Sequence, residues 1–203
     1  LTYTDPESDS FNSGLNRFVW NMRYPMVTAV PGRPPTAVMP IAKPGTYAIR
    51  LTVDGKSQTR EFQLSINPND PATAEESEGR FVFWMDLYDN VEASTQKVLA
   101  ALKVKADTLA KVEALKESGA SNAAEAEILA AVVAGIVDAY ESTYVPTGRT
   151  LAEIINLPAK IFTKITNLSS TLENSERPPT KKMLEVYAKL KKLSTDTYTQ
   201  FEK

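Results

Sequence analysis

The chain has 203 residues, 42% of them hydrophobic, a formal net charge of −2, and neither histidine nor cysteine. That length is enough for one large domain or two small ones, each with a buried core. The missing histidine and cysteine exclude histidine-based triads, cysteine nucleophiles, and zinc, haem or iron–sulfur sites that use these residues. Near-neutral charge gives no electrostatic case for nucleic acid as a partner. No apolar run approaches the roughly 20 residues that span a bilayer.

The cellular compartment is not fixed by composition. A chain without cysteine fits a reducing cytosol and equally a bacterial exported protein that lacks disulfides. The first residue is Leu1 rather than methionine, and no signal peptide is visible. We therefore expect the chain to be a processed product or a fragment of a longer polypeptide.

The first patterned segment is GLNRFVWNMRYP, residues 14–25. It places Phe18, Trp20, Met22 and Tyr24 at every second position, with polar residues among the others. Alternation of this kind predicts a β-strand with one buried face. Very little sequence precedes the segment. The cover for this face must therefore come from the helices, from upstream sequence or from another chain.

Residues 45–66, GTYAIRLTVDGKSQTREFQLSI, predict a β-hairpin. Asp54-Gly55 supplies the positive backbone φ that a tight hairpin turn requires. The apolar side chains of both strands recur with period two: Tyr47, Ile49, Leu51, Val53, Phe62, Leu64 and Ile66. With the segment at residues 14–25, this makes three strands, or at most four or five, fewer than the about seven of a complete β-sandwich.

A change of composition near residue 67 marks the start of a helical region. Thr73 and Glu76 have the spacing of a capping box. From Phe81 onward, apolar residues recur at spacings of three and four, which predicts one helix of about 38 residues and about 57 Å. Its coiled-coil-like seam is interrupted once, by Lys105.

Three further helical segments follow. The second helix is rich in alanine and runs to about Tyr144, and its predicted face is Leu129, Val132, Ile136 and Tyr140. Pro158 either kinks the third segment or starts its main part. The apolar residues of the last two segments are Leu151, Ile154, Ile161, Ile165, Leu168 and Leu172, then Met183, Tyr187, Leu190, Leu193 and Phe201. Four amphipathic helices with short connections predict an antiparallel bundle.

The carboxylates Asp86, Asp89 and Glu92 lie three residues apart near the start of the first helix. A metal site or an acid–base pair would need such a group inside a cleft. A solvated helix face, favoured by the helix dipole, is the alternative that we prefer. We expect no catalytic residue, no cofactor and no metal ion.

An aromatic cluster of Phe81, Phe83, Trp84 and Tyr88 allows two interpretations. It would suit a sugar-stacking platform, or a core where the helices meet the sheet. Helical spacing favours the core. The two interpretations differ in burial, because a platform needs a ring that faces solvent.

Several motifs resemble one bacterial family. LNRFVW and RYP, followed by PGTYAIRLTVDG, are similar to the C-terminal immunoglobulin-like (FlgD-type) module of sortilin-like BNR/Asp-box glycosyl hydrolase propeller proteins. RFVFWMDLYDNVEASTQKVLAALK resembles the long helix that follows this module. LPAKIFTKITNLSSTLENSERPPTKKMLEVYAKLKKL resembles its closing helices. The similarity is collinear over nearly the whole chain. Asn21 replaces the family's usual aspartate, and the alanine-rich helix is longer than usual.

The resemblance implies an α+β protein in two parts. Residues 1–68 would form a partial Ig-like antiparallel β-sandwich whose first strands lie upstream. Residues 69–76 would be a linker, and residues 77–203 an antiparallel four-helix bundle. Any hydrolase activity would reside in a β-propeller upstream of this chain, so no catalytic residue is carried over.

We therefore expect a non-catalytic structural and protein-interaction module. It would be the C-terminal part, or an accessory subunit, of an extracytoplasmic (periplasmic or secreted) propeller protein. Its partner would be protein, either the propeller in the same chain or a separate subunit. The expected interaction surface is Phe18, Trp20, Met22, Tyr24, Trp84 and Tyr88. The alternative is a carbohydrate-binding accessory module of a glycosyl hydrolase that stacks sugars on Trp84, Tyr88 or Trp20. An enzyme in its own right would have to use Asp86 and Asp89.

Overall fold

The computed structural model describes residues 14–31, 36, 38–69, 71–144, 159–173, 175 and 177–201. Within these residues the protein combines helices with a two-stranded antiparallel sheet, so it is an α+β protein. The elements in chain order are β1 (Gly45–Val53), β2 (Lys56–Leu64), α1 (Ala74–Glu117), α2 (Ala123–Tyr144), α3 (Ile161–Glu173) and α4 (Lys181–Phe201). The predicted positions Leu151, Ile154 and Pro158 lie outside the described residues.

The predicted hairpin is confirmed. Val53 pairs with Lys56 and Tyr47 with Phe62. Between the strands, Asp54 and Gly55 have φ angles of 49° and 75°. Two consecutive positive φ values define a type I′ turn, whose twist matches that of the strands. The turn and the alternation therefore fix the register together.

The strand predicted for residues 14–25 is wrong. These residues form one isolated bridge, between Arg23 and Ile41. They do not pair further as a strand. Around that bridge, the amide of Tyr24 donates to Pro40 O at 2.8 Å, and the amide of Ala42 donates to Met22 O at 2.7 Å. Met22 has a φ of 58°, a left-handed conformation that interrupts an extended strand. Alternating side chains are not enough to make a strand when pairing stops after one bridge.

Helix α1 has well-defined signals at both ends. The Glu76 amide donates to Thr73 Oγ1 and the Thr73 amide donates to the Glu76 carboxylate, which confirms the predicted capping box. At the other end, Gly119 has a φ of 67°. Its amide donates to Lys116 O, and the next amide donates to Leu115 O, the two bonds of a Schellman motif. The helix has 44 residues and begins at Ala74, directly after the predicted cap, so it includes the last three residues of the predicted linker 69–76. Its length is about 66 Å.

The predicted seam of α1 is largely buried. Its buried members include Trp84, Val91, Thr95, Val98 and Val112, but Leu109, predicted for the same seam, is 44% exposed. Lys105, the predicted interruption, forms an ion pair of 2.6 Å with Asp138 of α2. The lysine therefore lies at the edge of the seam, where its ammonium group contacts a carboxylate of the neighbouring helix.

Side-chain contacts give the directions of the helices. Lys105 pairs with Asp138 and Lys116 with Glu127, so α2 runs antiparallel to α1. Trp84 donates to Ser169 and Arg80 to Leu172 O, so α3 is also antiparallel to α1. The rings of Tyr144 and Phe162 are 5.9 Å apart, which places the end of α2 beside the start of α3. Helices α2 and α3 therefore follow the same direction along successive parts of α1.

Helix α4 runs parallel to α1. Tyr187 donates to Asp86 O, and Lys97 lies 4.6 Å from the ring centroid of Tyr198. Both sequence numbers rise by eleven between these two contacts. Helix α4 (Lys181–Phe201) thus lies along α1 from about the level of position 80 to about that of position 100.

The hydrophobic core contains residues from all four helices and from the N-terminal segment. Val27, Val30 and Val38 belong to the same buried cluster as Leu87 and Ile165. No residue of the hairpin belongs to it. Val27, Val30 and Val38 therefore pack with the helices, and the hairpin lies outside this cluster.

The predicted buried face of α2 is wrong for three of its four residues. Leu129, Val132 and Ile136 are exposed, and only Tyr140 is buried. The buried residues of α2 are Ala130, Val137, Tyr140 and Tyr144. This helix carries two apolar stripes at helical spacing. The stripe with the two tyrosines supplies the larger side chains to the core, so it faces α1.

The choice of face can be tested by truncating one valine on each stripe. Val137 is 2% exposed, so Val137→Ala should lower the free energy of unfolding by about 2 kcal/mol, through lost burial and a small cavity. Val132→Ala is the matched control, and it should change that free energy by less than about 0.5 kcal/mol. Urea unfolding followed by circular dichroism measures both. Equal losses for the two variants would contradict the assignment.

Candidate interaction surface

An aromatic corner joins the N-terminal segment to the hairpin. The ring centroid of Trp20 is 5.4 Å from that of Tyr47 and 6.2 Å from that of Phe62. Tyr47 and Phe62, which are cross-strand partners, stack at 6.0 Å. The indole of Trp20 donates to Arg23 O at 3.2 Å. These contacts hold one end of the hairpin's apolar face under a single tryptophan.

The remainder of that face is open. We define the open hairpin face as Ile49, Leu51 and Val53, which follow Tyr47 on the same side of β1. All three are exposed, Leu51 and Val53 to 57%. Their cross-strand partners are Arg60, Gln58 and Lys56. A line of three large apolar side chains beside long polar ones is therefore left in water.

Both edges of the hairpin are also open. Within the described residues β1 pairs only with β2. The turn makes Val53 and Lys56 a hydrogen-bonded pair, so alternate residues of β1, namely Ala48, Arg50 and Thr52, direct their amides away from β2. Strand β2 carries Lys56, Arg60 and Glu61, and charged side chains discourage pairing at an edge. The outer edge of β1 is the less protected one.

The six residues predicted for the surface do not form one patch. Trp20 packs on the hairpin, whereas Tyr24 lies 5.8 Å from Phe81 and 6.4 Å from Tyr88, all three partly buried. Phe18 and Met22 are exposed. The open hairpin face was missed as a surface, although its alternation was evident. The sequence does not reveal that, among the described residues, the cover of this face stops at Trp20.

Trp84 lies in the helical core. Its ring is 2% exposed and its indole donates to Ser169 Oγ at 2.7 Å. The guanidinium of Arg80 is 5.5 Å from the ring centroid. This ring presents no face on which a sugar could stack.

The carboxylates of α1 join elements together. Asp86 accepts two hydrogen bonds from Lys191 of α4, at 2.6 and 2.9 Å. Glu92 accepts from the amide and hydroxyl of Thr28 at 2.7 and 2.6 Å. Burial by itself would raise the pKa of Glu92, but the hydrogen bonds from Thr28 and Gln96 outweigh it and lower the pKa. Two of the three carboxylates therefore hold other segments onto α1.

Tyrosines are the main titratable groups of the core. Tyr140, Tyr144 and Tyr198 form a ring cluster, with centroids 5.9 and 5.5 Å from Tyr198, and Tyr187 packs on Phe83. Burial raises the pKa of Tyr198, as does nearby Tyr144. Burial also raises the pKa of Tyr187, with a further contribution from Asp86. The raised pKa keeps the hydroxyls of Tyr187 and Tyr198 protonated near neutral pH.

A surface groove of about 430 Å³ lies between α3 and α4. Its lining residues are Lys164, Asn167, Val186, Lys189 and Leu190. It brings together two cations and an amide but no carboxylate. In the described part of the chain, no three acidic side chains come close enough to hold a metal ion.

Comparison with family models, with curated proteins and with solved structures finds no match to this chain. Among the described helices, none has both the length and the apolar composition needed to cross a membrane.

The buried tyrosines predict a loss of stability in alkali. Because folding raises the pKa of Tyr187 and Tyr198, the unfolded chain ionises first once the pH passes about 10. Stability is then full below that pH and falls above it, by about 1.4 kcal/mol per pH unit for each such tyrosine. Tyr198→Phe should make this slope shallower by about that amount.

Urea unfolding at a series of pH values between about 9 and 11 measures the slope. Val132→Ala keeps every tyrosine and serves as the control with an unchanged slope. An unaltered slope in Tyr198→Phe would mean that this hydroxyl already ionises in the folded protein.

Proposed function

We propose that the chain is a non-catalytic structural and protein-interaction module that is completed by β-strands from a partner. The observation that carries the proposal is the open hairpin face: Leu51 and Val53 are 57% exposed on a sheet that has two strands in the described part of the chain. An isolated two-stranded hairpin is marginally stable in water, and a third strand or a covering layer is what normally supports it. The hairpin thus has the composition of an inner sheet surface that lacks its opposing layer.

Without this opposing layer, the region would be a partial Ig-like β-sandwich. In a β-sandwich, alternating apolar residues of two sheets interdigitate across about 10 Å. Trp20 fills that place for Tyr47 and Phe62, and nothing among the described residues fills it for Ile49, Leu51 and Val53. The resemblance to the FlgD-type module supports this arrangement, because it implies that the first strands of the sandwich lie upstream.

The same resemblance gives the biological setting that we propose. The chain would be the C-terminal part or an accessory subunit of an extracytoplasmic, sortilin-like β-propeller protein. The four helices, with α2 and α3 following one another along α1 and α4 running parallel to it, would be the rigid support for the sandwich. Lys43, at the base of the hairpin, forms an ion pair of 2.9 Å with Glu78 of α1, which is consistent with that role.

Strand addition at β1 is the mechanism that we propose. A partner strand along β1 would accept hydrogen bonds from the outward amides of Ala48, Arg50 and Thr52, and main-chain bonds of this kind supply affinity. Side chains from the partner would cover Leu51 and its neighbours, which supplies specificity. The less charged edge is the one that we expect the partner to use.

Hydrogen exchange tests this arrangement. In the isolated chain, the amides of Ala48, Arg50 and Thr52 should exchange quickly because they face solvent. In the complex purified from the natural source, the same amides should be slowed at least about 100-fold. Hairpin amides that are as protected in the isolated chain as those in the middle of α1 would contradict the proposal.

A pair of substitutions tests the face. Leu51→Lys places a charge on the covered side and should weaken association with the co-purified partner at least about tenfold. Thr52→Lys, on the opposite side of the same strand, is the matched control and should leave affinity within about twofold.

The intact mass of the protein from its natural source distinguishes a separate subunit of 22.3 kDa from the tail of a longer propeller chain. A lone monomer of that mass would overturn the proposal.

A further inference from the structure

A second exposed apolar surface lies at the far end of α1, on the part that α4 does not reach. We call this part the distal arm, residues 101–117 of α1 and 123–139 of α2. Its exposed apolar stripe is Leu129, Val132 and Ile136 of α2, with Ile128 beside it and Val104 across the groove on α1. The arm is about 25 Å long. It is two helices wide.

The stripe continues the surface on which α4 lies. Ile136 precedes Tyr140 by four residues, and Val104 follows Lys97 by seven, so each pair shares one side of its helix. Tyr140 and Lys97 both contact Tyr198 of α4. The same groove is therefore covered by α4 at one end and left open along the arm.

The ion pairs that join α1 to α2 in the arm lie elsewhere. They are Lys116 with Glu127 and Lys105 with Asp138. From the helical period, both pairs lie on the side opposite the stripe. They hold the two helices together and do not shield the apolar residues. On the stripe side, α1 presents Asp107 and Lys111, one turn apart. Asp107 makes an ion pair with Lys103 at 3.3 Å, and Lys111 forms no ion pair with a described residue.

We propose that the distal arm associates with the same arm of a second copy of this chain, related by a two-fold axis across the helices. The two copies of α1 would then lie antiparallel to each other. Lys111 of each copy would face Asp107 of the other, which gives two opposite-charge contacts. The centre of that pairing is position 109. Position 109 lies at the level of position 134 on α2, because Lys105 pairs with Asp138 and Lys116 with Glu127.

The same centre brings the apolar residues into contact. Around position 134, Val132 of one copy faces Ile136 of the other, and Leu129 faces Ala139. One two-fold axis thus satisfies the opposite charges on α1 and the apolar stripe on α2. A surface that is self-complementary in this way favours a second copy over an unrelated partner.

The size of the surface predicts a weak dimer. Two helices over about 25 Å offer about 500 Å² from each copy, or about 1,000 Å² in total. This is near the lower limit for a specific interface. The dimer should be visible when the protein concentration approaches the millimolar range.

Sedimentation velocity over a concentration series measures the dimer of the 203-residue chain. Val132→Lys should raise the dissociation constant at least about tenfold, because two lysines would enter the apolar contact. Val82→Lys is the matched control: Val82 is 55% exposed on α1, compared with 52% for Val132, and lies far from the arm. It should leave the dissociation constant unchanged, and circular dichroism checks that both variants are folded.

Charge exchange tests the axis itself. Lys111→Asp and Asp107→Lys should each weaken the dimer about tenfold, since each places like charges together at two symmetric positions. The chain that carries both changes should dimerise like the original. A chain that remains monomeric at millimolar concentration overturns the proposal. So does equal weakening by Val82→Lys and Val132→Lys, and so does failure of the double exchange to restore the dimer.

Discussion

Burial along α1 is the constraint on which the rest of the structure depends. Every other described helix makes a side-chain contact with it: α2 through Lys105, α3 through Trp84 and α4 through Asp86. The N-terminal segment is joined to it by the hydrogen bonds of Thr28 to Glu92. A long helix with one continuous seam lets segments that are distant in sequence share one core. Its capping box and its terminal glycine fix where that seam begins and ends.

Local signals made part of this fold predictable. The Asp54-Gly55 turn and the alternation around it depend only on neighbouring residues, and the hairpin forms as predicted. The Thr73 and Glu76 box is equally local. The period of three and four along α1 identified its buried side because that side carries large residues over many turns.

The features that escaped prediction depend on partners distant in sequence. Helix α2 has two apolar stripes, and only the position of α1 decides that Val137 is buried and Val132 exposed. The segment around Trp20 alternates like a strand, but pairing with Ile41 extends for one bridge only. The open hairpin face was missed for the same reason, since alternation predicts a covered side without identifying what covers it. Thr28, which anchors its segment to Glu92, lies in no motif.

The unbroken hydrogen bonding of α1 makes the helix a spacer between its two ends. From Glu78, which contacts the base of the hairpin, to position 109 is about 46 Å of continuous helix. Anything bound at the hairpin and anything bound at the arm is therefore held at a set distance. Their mutual rotation is also set, since each residue of an α-helix turns the chain by about 100°. Natural variants of this helix should gain or lose residues in sevens, which nearly restore the orientation, and seldom singly.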